Sequence, residues 1–341
     1  MKTELVQDFF RLLKVISLKK FTNYLLLVTS YWFAALFKKN YHAGKPAFVS
    51  IEPTTSCNLH CPECFTSLPE FNRPKGRLQI DNFKKITDSL SERCFYMNLY
   101  FQGEPFLNED LSAMIHYAKT KKFYVAVSTN GHFLDNATSR QLILSGLDKL
   151  IISLDGTDAL TYLQYRKGGD FNKVISGIQN MVEARKKTKS SFPFLELQFL
   201  LTRANRHQVF EIKKLGKQLG VDAVKIKDIQ LLNFANADAW LTEKNTRYTK
   251  DKEGKIKIKS TLPNRCFRMW SSCVITWDGN VVPCCFDKNA SYAMGNIFHQ
   301  KMDEICKGDA YRIFRQKVFS ERKNIDICCN CSEGLKKKFS Q

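Results

Sequence analysis

Short hydrophobic runs alternate with stretches of helical spacing through the middle of this 341-residue chain. Runs of apolar, β-branched or aromatic residues predict six strands, at 47–52, 96–101, 123–128, 149–154, 195–201 and 223–227. Apolar residues three or four positions apart predict helices between them, at 80–90, 111–119, 137–145, 171–184 and 207–219. Strands that alternate with helices of this length form βαβ units, so we expect an α/β fold with a parallel sheet.

Near the N-terminus, the uncharged apolar segment 21–37 lies between two pairs of lysines. It has no convincing cleavage site for a signal peptide, and it is short and too polar for a membrane-spanning helix. Two interpretations remain open. The segment is either a helix at a membrane surface, with basic ends and aromatic residues at the headgroups, or a helix packed on the protein itself or at a dimer contact.

Composition and charge narrow the range of functions. Apolar residues make up 44% and charged residues 25%, which excludes a disordered or collagen-like chain. Lys and Arg number 53 against 33 Asp and Glu, a net charge of +20 that favours anionic partners. No aromatic-interleaved RNA-binding motif accompanies this charge, so nucleic acid is not an expected partner. Without an export signal we expect a cytoplasmic protein, either free or peripheral at the inner face of the membrane.

Twelve cysteines are unusual for this length, and in a reducing compartment such clusters indicate metal binding or catalysis rather than disulfides. Three lie close together at Cys57, Cys61 and Cys64, and eight lie between Cys266 and Cys331. Residues 241–261 are polar and basic, which predicts a linker or exposed ribbon between a front site and a back site.

The front cysteines occupy the loop that leaves the first predicted strand, where parallel α/β sheets place their chemistry. Three thiolates on one short loop suit three corners of a [4Fe–4S] cluster and leave one iron open for another ligand. A zinc ion held by the same thiolates and closed by His60 is the alternative, and the spacing alone does not separate the two.

With the motifs that follow it, this loop resembles the radical S-adenosylmethionine (radical SAM) superfamily over roughly residues 46–335. The Cys-x3-Cys-x2-Cys loop matches Cys57, Cys61 and Cys64, and the Gly-Glu motif after the second strand matches Gly103-Glu104-Pro105. The resemblance implies that S-adenosylmethionine (SAM) contacts come from the ends of successive strands, at Gln102, Gly103, Glu104, Ser128, Asn130, Ser153, Asp155 and Arg166. Many members have an aromatic residue where this chain has Glu63, which puts the adenine contact in doubt.

The resemblance also implies a fold and a mechanism. The fold is a partial (β/α)6 TIM-like barrel. The open iron chelates SAM, an electron from the reduced cluster cleaves the sulfonium C–S bond, and the resulting 5′-deoxyadenosyl radical abstracts hydrogen from a substrate. The protein's part is to position the substrate and exclude water. The sequence assigns no separate acid–base catalytic residue.

The back cysteines resemble the SPASM-type extension of radical SAM enzymes, which binds an auxiliary iron–sulfur cluster. The pattern of Cys, Trp, an Asp-Gly turn, Pro-Cys-Cys and a final Cys-x2-Cys implies an auxiliary [4Fe–4S] cluster on four ligands, Cys266, Cys284, Cys328 and Cys331. Substitutes, if the register is shifted, are Cys285, Cys273 and Cys329. A zinc knuckle on the same thiolates remains open. Cys306, in a helical stretch, is interpreted as a buried thiol.

The same resemblance also makes one narrower activity improbable. In sulfatase-maturing members the residue after the Pro-Cys cysteine is an acidic proton acceptor. Cys285 occupies that position here, which argues against that activity.

Together these patterns predict four parts: an N-terminal helical segment (1–45), a radical SAM core (46–240), a basic linker (241–261) and a small Cys-rich SPASM-like domain (262–341). The expected function is reductive SAM cleavage with hydrogen abstraction from a peptide, a protein or a small molecule. A lipid-linked substrate and a non-catalytic iron–sulfur or zinc scaffold are the alternatives. A flavodoxin or ferredoxin is the expected electron donor.

Overall fold

The structure is a computed structural model that describes residues 2–332. Residue 1 and residues 333–341, which the predicted N-terminal and auxiliary segments include, lie outside the described residues. The strands are β1 (Phe48–Ile51), β2 (Tyr96–Asn98), β3 (Tyr124–Thr129), β4 (Lys149–Ser153), β5 (Phe194–Leu201), β6 (Ala223–Asp228), β7 (Tyr248–Lys250), β8 (Ile256–Ile258), β9 (Ser272–Ile275), β10 (Asn280–Val282) and β11 (Gly295–Asn296). The α-helices are α1 (Lys2–Lys14), α2 (Leu18–Phe37), α3 (Ile80–Leu90), α4 (Leu111–Thr120), α5 (Asn136–Leu144), α6 (Ala159–Tyr165), α7 (Phe171–Lys187), α8 (Val209–Leu219), α9 (Ala237–Trp240), α10 (Arg268–Ser271), α11 (Met302–Lys307), α12 (Asp309–Glu321) and α13 (Asp326–Cys329).

A nine-stranded sheet organises the molecule, in the order β11-β10-β9-β1-β2-β3-β4-β5-β6. Strands β1 to β6 are parallel and occupy the six segments that the hydrophobic pattern predicts, which confirms the α/β fold. Helices connect consecutive strands, as right-handed βα crossovers require. All six carboxyl ends therefore meet at one edge, and the loops at this edge carry the front cysteines and the candidate SAM contacts.

The C-terminal region continues the same sheet. Strand β9 pairs in parallel with β1, from Phe48 opposite Ser272 to Ile51 opposite Ile275. Strands β10 and β11 then add in antiparallel orientation. The edge of β1, which would otherwise be open, is thus covered by the Cys-rich part of the chain.

Helices α1 and α2 cross the opposite edge of the barrel, where the strands begin. The ring of Tyr24 contacts Phe48 and Phe95 at the starts of β1 and β2, and Leu27 is fully buried. Of the two interpretations of segment 21–37, the structure therefore shows the helix that packs on the protein itself. Across residues 2–332, no helix has the combined length and apolar character that crossing a bilayer requires.

The segment predicted as a linker or exposed ribbon, 241–261, contains the two-stranded ribbon β7–β8. Tyr248 is the buried residue of the two strands, and the others are half-buried or exposed. The hydroxyl of Tyr248 accepts a hydrogen bond from the Leu231 amide at 3.0 Å and donates to Asn330 Oδ1 at 2.7 Å. Tyr248 and Leu241 pack with Leu59 and Cys61, so this segment covers the front cysteine loop rather than merely joining two parts.

Candidate functional site

The front cysteines lie on the loop that follows β1. Cys61 is buried, and Cys57 and Cys64 are half-buried. Backbone turns fix the loop: the Cys64 amide donates to the Cys61 carbonyl at 3.0 Å, and the Leu59 amide donates to Cys57 Sγ at 3.4 Å. The loop thus presents three thiols at the carboxyl edge of the sheet.

The pKa values of the Cys57 and Cys61 thiols decide whether these groups are charged at neutral pH. Burial, with smaller contributions from Glu104, Cys64 and Cys61, raises the pKa of Cys57 to about 11, although the Leu59 amide lowers it. Burial also raises the pKa of Cys61, although the neighbouring Arg166 lowers it. At neutral pH the thiols of Cys57 and Cys61 therefore keep their protons unless a bound cation displaces them.

The zinc alternative needs several ligands around one ion. Across the described part of the chain, no group of three His, Cys, Asp or Glu side chains is placed to hold one metal ion. The imidazole of His60, the fourth ligand in the zinc alternative, is exposed at the surface.

The loop after β2 packs closely against the cysteine loop at Gly103. Its φ is +71°, and a Cβ at this position would lie 2.5 Å from the Thr54 carbonyl oxygen and 2.6 Å from that of Ser56. The next amide, of Glu104, donates to the Ser56 carbonyl at 2.7 Å. Only glycine permits both the left-handed conformation and this approach.

The Glu104 carboxylate joins the loop after β2 to the end of β3. One oxygen accepts from the Thr129 hydroxyl at 2.7 Å, and the other accepts from the Asn130 amide at 2.8 Å. Burial raises the pKa of Glu104 to about 7, against these hydrogen bonds. The side chain of Glu104 therefore positions the neighbouring loop, while the buried Gln102 precedes it.

Asn130, another candidate SAM contact, is held by two neighbours. Its amide nitrogen donates to Asn58 Oδ1 at 2.7 Å, which ties the end of β3 to the cysteine loop. His132 Nε2 accepts from the Asp170 amide at 2.8 Å, so Nδ1 carries the proton and donates to Asn130 Oδ1 at 3.0 Å. Sequence reasoning missed His132, because the Asp170 amide that fixes its tautomer comes from a distant part of the chain.

The loop after β4 contributes a buried ion pair. Arg166 Nε donates to Asp155 Oδ2 at 2.5 Å, and the Leu200 amide donates to Asp155 Oδ1 at 2.6 Å. Arg166 Nη1 lies 3.8 Å from Cys61 Sγ. Burial alone would lower the pKa of Arg166, but Asp155 and Cys61 outweigh it and raise this pKa well above its usual range. Asp155 thus orients a permanent cation beside the front thiols.

Three remaining positions complete the edge. Ser153 is buried at the end of β4, opposite Gln198 of β5, and Ser128 is half-buried on β3. Glu63, where an aromatic residue was expected, accepts from the Leu232 amide at 2.6 Å through Oε2. Its other oxygen is buried with no partner among the described residues, an orphaned acceptor that a bound group with an N–H can satisfy.

The back site brings together the four cysteines that the sequence selected. The pKa of Cys284 is raised well above its usual range by burial, then by the neighbouring thiols of Cys285, Cys266 and Cys331. Burial raises the pKa of Cys328 to about 12, and Cys331 and Cys266 also face it. These four cysteines therefore lie in the same region of the fold.

A buried arginine that sequence reasoning missed lies beside these thiols. Arg322 donates to Cys331 Sγ at 3.5 Å and to the carbonyls of Pro263 and Arg265 at 3.2 and 2.9 Å. A cation here offsets the negative charge that several thiolates bring into a buried site. Nothing in the spacing of Arg322 distinguishes it from a surface residue.

The substitute cysteines are placed differently. Cys329 Sγ donates to the carbonyls of Lys323 and Ile325, away from the four thiols. Cys273 is fully buried, and the thiols that raise its pKa are those of Cys306 and Cys94 rather than the four back-site thiols. Cys306 is buried in α11, in agreement with its interpretation as a core thiol.

A cavity of about 370 Å³ lies between the barrel and the back site. Its barrel wall includes Ser50 and Asn98, which are hydrogen-bonded to each other at 3.2 Å. Its other wall includes Arg268 and Cys285, whose Nη1 and Sγ atoms are 3.7 Å apart. Aromatic rings also line the cavity, which borders Cys284 of the back site, so both polar and apolar groups face its interior.

Comparison with protein families finds two matches. The family model described as "Radical SAM superfamily" matches residues 51–195, from β1 to the start of β5. The model SPASM, described as "Iron-sulfur cluster-binding domain", matches residues 266–332. The two matches contain the front and the back cysteines respectively.

Individual proteins give the same picture. The tungsten-containing aldehyde ferredoxin oxidoreductase cofactor-modifying protein of Pyrococcus furiosus is 24% identical over 84% of this chain and 87% of its own length. The PqqA peptide cyclase of Granulibacter bethesdensis is 26% identical over 58% of this chain and 51% of its own. Streptococcus suis SuiB, solved bound to its precursor peptide SuiA, has the same fold, with a TM-score of 0.62 at 15% identity over 85% of this chain and 70% of SuiB.

Proposed function

Because the chain belongs to the radical SAM superfamily and carries a C-terminal SPASM domain, we propose that it modifies a peptide substrate through reductive cleavage of SAM. The family implies a [4Fe–4S] cluster, SAM and auxiliary iron–sulfur chemistry. One observation carries the assignment to residues: the three-thiol loop, the Glu104 loop and the Arg166–Asp155 pair converge at the carboxyl edge of one parallel sheet.

We assign the SAM-binding cluster to Cys57, Cys61 and Cys64. When bound, the cluster and SAM supply one-electron cleavage of the sulfonium C–S bond and a radical that removes hydrogen from the substrate. The chain's own residues prepare the site for them. Arg166, fixed by Asp155, places a positive charge next to Cys61, which favours thiolate sulfur over thiol.

We assign the other candidate contacts to the binding of the nucleoside part of SAM. Gly103 lets the loop after β2 approach the cysteine loop closely, and Glu104 joins that loop to Asn130. The orphaned oxygen of Glu63 supports a polar contact to the bound nucleoside in place of the usual aromatic residue. Ser128 and Ser153 fall on the same edge and complete the assignment, together with Gln102.

For the auxiliary cluster we assign Cys266, Cys284, Cys328 and Cys331. Four thiolate ligands leave no open iron, which suits electron transfer or structural support rather than SAM binding. The buried cation Arg322 supports this assignment because it offsets the charge of the thiolates. Cys284 also lines the cavity described above, which supports a position of the auxiliary cluster beside a bound substrate.

A peptide is the substrate class that the relatives favour, and a small molecule is the second candidate. The PqqA cyclase is named for a peptide, and SuiB was solved with one. The strongly basic balance of the chain supports a small acidic electron donor, a flavodoxin or ferredoxin, and a peripheral contact with an anionic membrane face.

Anaerobic reconstitution tests the proposed chemistry. We expect about eight irons per chain, and 5′-deoxyadenosine when SAM and a strong reductant are added. The Cys61→Ala variant should retain about four irons and form no 5′-deoxyadenosine. Cys306→Ala, which removes a buried thiol outside both sites, is the matched control and should behave as the wild type does.

Two results would contradict the proposal. Zinc in place of iron would favour the metal-scaffold alternative, and so would a cluster-loaded chain that leaves SAM intact. The substrate class is tested separately, with deuterated forms of short peptides encoded beside the gene. Transfer of deuterium into 5′-deoxyadenosine supports a peptide substrate, whereas transfer only from a small metabolite contradicts it.

A further inference from the structure

Helix α2 has an unusual distribution of polar and apolar side chains. The residues it buries against the protein include Lys20, Asn23 and Ser30. Lys20 Nζ donates to the Lys122 carbonyl at 2.6 Å, and Asn23 Nδ2 donates to the Lys45 carbonyl at 2.9 Å. A surface helix in water normally does the reverse, with its polar face outward.

The outer side of α1 and α2 is correspondingly apolar. Of the twenty large hydrophobic side chains that are exposed in the described part of the chain, fourteen fall in the first forty-one residues. They are Leu5, Val6, Phe9, Phe10, Leu13, Leu18, Phe21, Leu25, Leu26, Trp32, Phe33, Leu36, Phe37 and Tyr41, here called the N-terminal apolar face. Such a concentration of exposed apolar side chains in one part of the chain indicates a site of contact with a partner or a membrane.

Both helices present this face at the same end of the molecule. Helix α1 is anchored near the starts of β3 and β4, where Asp8 accepts from Tyr124 and Arg11 pairs with Asp148 at 2.6 Å. Helix α2 is anchored at the starts of β1 and β2 through Tyr24. The outer sides therefore point away from the barrel, at the end opposite the front cysteines.

The charged residues around the N-terminal apolar face indicate which kind of partner it binds. The exposed residues Lys14, Lys19, Lys38 and Lys39 flank the two helices, and Lys19 pairs with the exposed Glu92 at 3.1 Å. Helix α2 contains no acidic residue, and the Asp8 carboxylate of α1 accepts from Tyr124 of the barrel. The exposed Lys122, on the loop before β3, is at the same end. A symmetric dimer through this face would bring the lysines of two chains together, each with a net charge of +20. An anionic lipid surface instead neutralises them.

We propose that the N-terminal apolar face docks on the surface of an anionic lipid bilayer, with its lysines at the headgroups and Trp32 and Tyr41 at the boundary of the hydrocarbon. Aromatic residues with a polar edge are favoured at that depth. The carboxyl edge of the sheet, with the front cysteines, then faces away from the membrane. This inference deepens the peripheral contact proposed above and does not depend on SAM chemistry.

Vesicle flotation of the full chain tests the docking. We expect it to float with vesicles of phosphatidylcholine and phosphatidylglycerol, and far less with phosphatidylcholine alone or at high salt. The double variant Leu26→Glu with Phe33→Glu should lose most of this binding, because both side chains are about half exposed on the apolar face. The matched control is Leu160→Glu with Phe210→Glu, which alters side chains that are 82% and 81% exposed elsewhere. It should bind as the wild type does.

A second measurement uses the wild-type chain and one conservative variant, so it does not depend on the folding of the Glu double variants. Brominated lipid should quench part of the tryptophan fluorescence of the wild-type chain, and Trp32→Phe should abolish that part. Equal flotation of both Glu double variants, equal binding to neutral and anionic vesicles, or no quenching would overturn the proposal. A wild-type chain that is dimeric and ignores vesicles would identify a second copy as the partner. The Glu variants should still form 5′-deoxyadenosine in the absence of lipid. This activity assay therefore tests the proposed SAM chemistry separately from membrane binding.

Discussion

At the scale of single residues, the protonation of Glu104 makes the free energy of unfolding depend on pH. Its pKa is about 7 in the folded chain because of burial, against an ordinary value of 4.5. The folded state therefore binds this proton more tightly than the unfolded state does between those two values. From this group alone, the free energy of unfolding is highest below pH 4.5 and falls by about 3 kcal/mol as pH rises through 7.

We predict that Glu104→Gln removes this fall. Urea unfolding of the cluster-free chain at a series of pH values checks it, through the difference between variant and wild type. Glu109→Gln is the control, because the Glu109 side chain is 88% exposed and should leave the pH dependence unchanged. A Glu104→Gln variant with the pH dependence of the wild type would show that another group is responsible.

The Arg166–Asp155 pair leads to a second prediction at this scale. Arg166→Met leaves the fully buried Asp155 carboxylate without its cation, and breaking a buried pair in this way costs about 3–5 kcal/mol. Adding Asp155→Asn removes the stranded charge, so the double variant should recover much of the lost stability. Urea unfolding of the single and double variants measures this. If both lose equally, the pair is not what holds the loop after β4.

Residues differ in how far the sequence could predict them. The front and back cysteines could be selected because their spacing within one loop, or in one short pattern, is itself the signal. The roles of His132 and Arg322 could not, because each depends on partners from distant segments, such as Asp170 and Pro263. Glu104 was selected as a contact, but its partners at the end of β3 appear only in the fold.

At the scale of elements, the hydrophobic pattern was a good guide to the barrel. Strands β1 to β6 and helices α3, α4, α5, α7 and α8 all occupy predicted segments, because buried strands and one-sided helices need those periods. Helix α6 was not predicted, since seven residues are too few to show a period. The burial of the β7–β8 ribbon was also missed, because it depends mainly on Tyr248 in an otherwise polar segment.

The contact between the loop after β2 and the cysteine loop gives a prediction for these elements. In Gly103→Ala the new Cβ would overlap the Thr54 and Ser56 carbonyls, and the backbone would be held at a φ of +71°. We expect the two loops to separate, so that reconstituted iron falls from about eight to about four per chain and 5′-deoxyadenosine is not formed. Iron analysis and product chromatography measure both effects.

A matched glycine separates the close approach from backbone strain. Gly254 has a φ of +80° in the β7–β8 ribbon, and a Cβ there meets nothing within 4 Å. Gly254→Ala should therefore keep its iron and its SAM cleavage. Wild-type iron content in Gly103→Ala would show that the loop tolerates a side chain and that the packing is not needed for the front site.

At the scale of the whole molecule, the predicted boundary between core and auxiliary domain does not interrupt the structure. Strand β9 extends the sheet beyond β1, and Glu52 at the end of β1 accepts from Arg73 and from the Trp277 amide. The ring of Tyr31 in α2 packs on Trp270 beside α12. The N-terminal helix, the barrel and the Cys-rich region thus share one hydrophobic core.

A shared core predicts that these parts unfold together. In a Trp32→Phe, Trp240→Phe variant, the remaining tryptophans Trp270 and Trp277 report only on the C-terminal region, whereas far-ultraviolet circular dichroism follows the helices of the whole chain. We expect both signals of the cluster-free variant to change at the same urea concentration, because losing β9 would expose the edge of β1 and the core beneath it. An earlier fluorescence transition with the barrel helices intact would instead make the auxiliary region a separate domain. The continuous sheet would then contribute little to the stability of either part.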